Sequence, residues 1–181
     1  MISRHDKVVV DSDGRLSAVL GRALVRARRD GVDRYVLSFD LGPGGDTRQV
    51  HVEPLQNCRL GAVRRHPVTP LIVAELHFDE TLRAGDTWMF EYRIADPNGT
   101  RCWEYARGIA SPISQYLLEV RSAISLDCHV YARTDLDGRA VRLRELTVNR
   151  HHAVHHVARD VSAGVLGIAW SWPEESVPDG P

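Results

Sequence analysis

The stretch NRHHAVHHVARD, residues 149–160, carries His151, His152, His155 and His156, four of the nine histidines in the chain. Imidazoles at this density can bind a metal ion or move a proton, and their spacing decides which geometry is open to them. On a helix, His151/His155 and His152/His156 are i,i+4 pairs with Cβ atoms about 5–6 Å apart, close enough to share a zinc ion. On a strand the same pairs lie about 13 Å apart, because each residue advances about 3.3 Å. Val148, Val154 and Val157 surround the histidines, and Ala is the only helix former among them. The segment therefore reads as a strand, or as a strand after a turn at Asn149, with His156 on the face of Val154. Such a cluster holds no metal by itself, and no metal or cofactor is expected. A metal-binding sandwich would need one of these histidines to join His77, Cys128 or His129 from a neighbouring strand.

A second group of chemically capable residues lies on strands whose other face is apolar: Glu75 and His77, Glu91 and Arg93, Glu119 and Arg121. Carboxylate, imidazole and guanidinium together could make an acid–base site with an anion anchor. They are equally what a solvated sheet face needs, where opposite charges pair across strands. Trp88, Trp103, Trp170 and Trp172 could stack a flat ligand or fill a core. The residues expected to contact a ligand are Arg93, Trp103, Arg121 and Trp170. If the chain is an enzyme, its acid–base groups are Glu75, His77, Glu91 and His156. The sequence has no GxSxG, GxxxxGK[ST], HExxH or GxGxxG signature. DSDG at 11–14 opens like a calcium loop but lacks the continuation.

The elements that must position these residues are short alternating runs between turns. Ile72, Ala74, Leu76 and Phe78 share one face, and Trp88, Phe90, Tyr92 and Ile94 share another after the turn at Leu82–Asp86. Asp13-Gly14 and Asp137-Gly138 are hairpin signals, and Asp30-Gly31 is a turn between strands. SAVLGRALVRARR has helix-favouring composition, but Gly21 interrupts it and the arginines alternate with apolar residues, so it reads as strand. About a dozen strands at this turn spacing predict an all-β fold, an antiparallel β-sandwich or flattened barrel. Residues 1–173 are expected to form one domain and 174–181 a flexible tail.

Composition narrows the classes further. At 181 residues and 43% hydrophobic content the chain can bury a core. The net charge is −1, and no basic stripe marks a nucleic-acid face. Three cysteines without CxxC spacing predict free thiols. With no signal peptide and no apolar run of about 20 residues, a cytoplasmic, non-membrane location is expected.

RALVRARRDGVDRYVLSFDL (22–41), LRAGDTWMFEYRI (82–94), SQYLLEVR (114–121) and GVLGIAWSWP (164–173) together resemble the all-β region that follows the helix-turn-helix of many actinobacterial XRE-type transcriptional regulators. The resemblance covers most of the chain in order but rests on turns and patterned strands. The expectation is a module standing without the helix-turn-helix, since residues 7–19 already read as strands around Asp13-Gly14. It implies a sensing or interaction module, and no functional residue carries over. The leading expectation is a non-enzymatic, regulatory β-sandwich that binds a small molecule or a protein partner, without direct nucleic-acid binding; a homodimer is compatible with it. The alternative is a small cofactor-independent enzyme, a cyclase, isomerase or lyase.

Overall fold

Period-two patterning becomes thirteen strands, with no helix among the described residues of the computed structural model, which are 1–123, 126–134 and 138–172. They are β1 (Ser3–Val10), β2 (Leu16–Arg26), β3 (Val32–Asp40), β4 (His51–Gln56), β5 (Arg59–Arg65), β6 (Leu71–Leu82) and β7 (Thr87–Ala95). The second half adds β8 (Glu104–Ile109), β9 (Ile113–Ser122), β10 (Asp127–Arg133), β11 (Val141–Leu146), β12 (Ala153–Val161) and β13 (Gly164–Ser171). The all-β, sandwich-like architecture expected from the sequence is the one observed.

The strands form three open sheets, and none closes into a barrel. One has the order β12-β9-β1-β2-β7-β4, a second β11-β10-β13-β8, and a third β3-β6-β5. Every pairing is antiparallel except β1 with β9, which run parallel. One apolar cluster draws on all three sheets, including Val8, Leu37, Leu76, Phe90, Val130 and Ile168. The four alternating residues of β6, Ile72 to Phe78, are buried, as are Phe90, Tyr92 and Ile94 of β7.

Local chemistry explains several boundaries. Asp11 Oδ1 accepts from the amides of Asp13 and Arg15, both at 2.9 Å, and so fixes the turn between β1 and β2. The Asp30-Gly31 turn does not make a hairpin: β2 pairs with β1 and β7, whereas β3 pairs with β6, so this turn hands the chain from one sheet to another. β4 runs through Pro54 instead of ending there, because it is an edge strand with a register shift at that residue. The Asp137-Gly138 turn and the 174–181 tail lie at least partly outside the described residues.

Gly21 sits inside β2 directly opposite Tyr92 of β7. A Cβ at Gly21 would lie 2.3 Å from the Tyr92 ring, so the missing side chain is the space the ring occupies. In an open strand Gly→Ala gains roughly 0.5–1 kcal/mol. Gly21→Ala is expected instead to lose about 1–3 kcal/mol through overpacking. Urea unfolding measures this, and a midpoint at or above the parent's would contradict the packing described.

Candidate functional site

The inner face of β1 reads Arg4, Asp6, Val8, Val10, so two opposite charges enter the core two residues apart. Arg4 is 3% exposed and Asp6 fully buried. Arg4 Nε donates to both Asp6 carboxylate oxygens, at 2.9 and 3.0 Å. Its Nη1 donates to the Tyr35 hydroxyl of β3 at 3.2 Å, and its Nη2 to the Tyr92 hydroxyl of β7. Asp6 Oδ2 accepts from Tyr116 of β9 at 3.0 Å and from Tyr105 of β8 at 3.4 Å. Residues from all three sheets therefore converge on one ion pair, and each charge has several partners, which a buried pair requires.

Electrostatics fixes the protonation states. Burial alone would raise the Asp6 pKa, but Arg4, Arg107 and the Tyr116 hydrogen bond outweigh it and hold the carboxyl below its usual range. Burial likewise opposes the Arg4 charge, and Asp6 overcomes it, so Arg4 stays protonated. Burial pushes the Tyr92 hydroxyl up to about 12, and those of Tyr105 and Tyr116 above their ordinary value. These tyrosines are hydrogen-bond donors near neutral pH, not bases.

Beside this cluster lies an open cleft of about 420 Å³, walled by Arg4, Tyr35, Val25, Arg107, Ile109 and Ile113. Arg26 and Arg28 are exposed at its rim, and no Asp or Glu lines it. Arg107 stands on β8 between Tyr105 and Ile109, half-buried. Burial and the nearby Arg4 act against its charge; Asp6 and the surrounding tyrosines prevail, and its pKa is raised. Arg4 is held on three sides, whereas Arg107 makes no hydrogen bond or ion pair among the described residues.

The residues singled out from sequence lie elsewhere. Glu75 and His77 are brought together on the outer face of β6, 3.2 Å apart, with Arg34 at 3.4 Å from Glu75. The His77 hydrogen bond holds Glu75 below the usual carboxylate range. Glu91, in another sheet, is paired with Arg22 at 2.7 Å. His156 is on β12, four strand positions from the β7 strand of Glu91, roughly 19 Å across the sheet. Desolvation lowers the His156 pKa, and its buried Nδ1 has no hydrogen-bond partner. The four candidate acid–base groups thus do not converge.

Of the expected ligand contacts, Arg93 pairs with Glu53 at 3.2 Å and Arg121 with Glu119 at 2.7 Å, on strands three positions apart. Trp170 is buried, its indole N–H donating to the Cys102 carbonyl at 3.0 Å. Trp103 is largely exposed under the Arg101 guanidinium. The backbone joins these two tryptophans, but the two arginines lie on a different sheet.

His151 and His152 occupy a turn built on Asn149, whose Oδ1 accepts from the amides of His151 and Ala153 at 2.8 and 3.2 Å. His155 then points outward and His156 inward. Among the described residues, no three His, Cys, Asp or Glu side chains lie close enough together to hold a metal ion. Cys58, Cys102 and Cys128 are free thiols, and burial pushes those of Cys102 and Cys128 up to about 12.

Sequence reasoning missed Arg4, Asp6, Tyr35 and Arg107. A signal existed. Extending the Val10, Val8 alternation backwards places Asp6 and Arg4 on the apolar face.

No protein-family model matches the sequence, and no curated protein matches it. Among solved structures, the fold is similar to that of a "putative protease" from Parabacteroides distasonis, with a TM-score of 0.56 and 10% identity. The match covers 95% of this chain but 40% of that one. At this identity the likeness is one of fold.

The depressed Asp6 pKa makes stability depend on pH. Its folded value lies below the unfolded value of about 3.9, so the pair's contribution is full above that value and lost as pH falls through the folded one. Urea midpoints are expected to drop between about pH 5 and pH 3. Asp6→Asn should flatten part of that drop; an equally steep drop in the variant would place the acid sensitivity elsewhere.

Proposed function

We propose that this chain is a non-enzymatic binding module, with a small ligand seated in the cleft where the three sheets meet, and that binding serves regulation. One observation carries this: a cleft of about 420 Å³ that combines apolar side chains at Val25, Ile109 and Ile113 with arginine, tyrosine and serine groups in roughly equal share. Its size is that of a small-molecule site, and its lining is more polar than most, which suits a polar ligand. Its floor is rigid, because Arg4 is fixed by Asp6, Tyr35 and Tyr92, and a pre-organised floor lowers the ordering cost of binding. The dispersal of Glu75, His77, Glu91 and His156 favours binding over acid–base catalysis. The regulatory part rests on the resemblance to the all-β region of XRE-type regulators. The protease description belongs to a longer protein of similar fold and brings no residue to this site.

A thermal-shift screen of small metabolites tests the proposal, with Ala110→Trp as the comparison protein. Ala110 is an exposed residue of the cleft wall, so a Trp there obstructs the cleft without disturbing the core. A ligand at about 100 times its Kd should stabilise the parent by about 2.7 kcal/mol. That gain is expected to disappear in Ala110→Trp. Ligands that stabilise both proteins equally would put the binding site outside the cleft.

A further inference from the structure

The charge balance of the cleft is uneven. The carboxylate of Asp6 is shared between two guanidinium groups, bonded to Arg4 and acting on Arg107 at longer range, which leaves a net positive charge with Arg107 on the cleft wall. The rim adds Arg26 and Arg28, neither of which forms an ion pair or hydrogen bond among the described residues. No carboxylate lines the cleft to oppose them. A guanidinium carries five N–H donors in a fixed fork that matches a carboxylate or phosphate group. Those of Arg107, which shares the inward face of β8 with Tyr105 and Ile109, make no hydrogen bond among the described residues. Val25, Ile109 and Ile113 add hydrocarbon to the same cleft lining. The cleft volume exceeds what a bare inorganic ion needs.

Resting on the cleft being a ligand site, we propose that its ligand is an organic anion, whose carboxylate or phosphate group pairs with Arg107 and whose apolar body lies against Val25, Ile109 and Ile113. Arg26 and Arg28 act at longer range, drawing the anion to the mouth, and that part of the attraction weakens with salt. Arg4 is a positioning residue here: its committed bonds hold Tyr35 and the floor in place.

Titration calorimetry on the full chain tests this with four probes: benzoate, phenyl phosphate, inorganic phosphate and the neutral benzyl alcohol. Benzoate or phenyl phosphate should bind, more tightly than benzyl alcohol, and whichever is tighter distinguishes carboxylate from phosphate recognition. Phenyl phosphate exceeding inorganic phosphate would support the apolar body; equal affinity of the two would overturn that part. Arg107→Gln should lose about 10- to 100-fold in anion affinity, the range for a charge-assisted hydrogen-bonded pair, and leave benzyl alcohol binding unchanged. Arg26→Gln/Arg28→Gln, at exposed positions that leave the fold untouched, should lose about 2- to 5-fold, and less at high salt. This double variant keeps the test decisive if Arg107→Gln does not fold. If benzyl alcohol binds as tightly as the anions, the cleft remains a ligand site and the anion inference falls. If none of the four probes binds, the anion inference falls. Unchanged anion affinity in Arg107→Gln would also overturn it.

Discussion

Two opposite charges on the inner face of one central strand, Arg4 and Asp6, set the terms on which the three sheets meet. Moving either from water into a core costs several kcal/mol, and their mutual attraction repays this only when the remaining donors and acceptors are satisfied as well. Here the satisfaction comes from tyrosines on four different strands: Tyr35, Tyr92, Tyr105 and Tyr116. Tyr92, Tyr105 and Tyr116 are buried, so moving any of them would leave a buried polar atom unpaired. The pair supplies registry between the sheets, whatever its net contribution to stability.

That registry shapes the surface as well as the core. Tyr92 reaches Arg4 because β2 carries a glycine where its ring passes. Tyr105 reaches Asp6 from β8, and its neighbour two residues on, Arg107, is delivered to the cleft wall. Tyr35 does the same from β3, with its ring 5.1 Å from that of Phe90. The cleft is thus a by-product of how three sheets close around one ion pair, and its charge is what remains after Asp6 has been shared. The outer faces behave differently: Arg22–Glu91, Arg93–Glu53 and Arg34–Glu75 pair in solvent, where each is worth little and serves solubility.

Local features were legible in the sequence because they depend on neighbours along the chain. The alternation of Ile72 to Phe78, the Asx-type turn at Asn149 and the strand geometry of His155 and His156 all follow from residues within a few positions. Pairing is different. β1 lies parallel to β9, more than a hundred residues away, and no local pattern specifies that partner. The Asp30-Gly31 turn looks the same in sequence whether it closes a hairpin or passes the chain to another sheet. Arg4 and Asp6 were hidden for a physical reason: charges at a strand's start are read as solvent-facing, and beyond each other their partners are tyrosines distant in sequence, which complete the hydrogen bonding their burial needs. Arg107 was missed for a related reason: the Asp6 charge that supports it lies about a hundred residues away in sequence.

A double-mutant cycle on Arg4→Met and Asp6→Leu, followed by urea unfolding at neutral pH, addresses the central pair most directly. Each single change strands one buried charge or its partners and should cost about 3–5 kcal/mol. The double variant replaces both charges with apolar groups and should cost well under the sum, giving a coupling of about 2 kcal/mol or more. Additive costs, within about 0.5 kcal/mol, would mean that the two residues act independently and that the sheets are not organised around their ion pair.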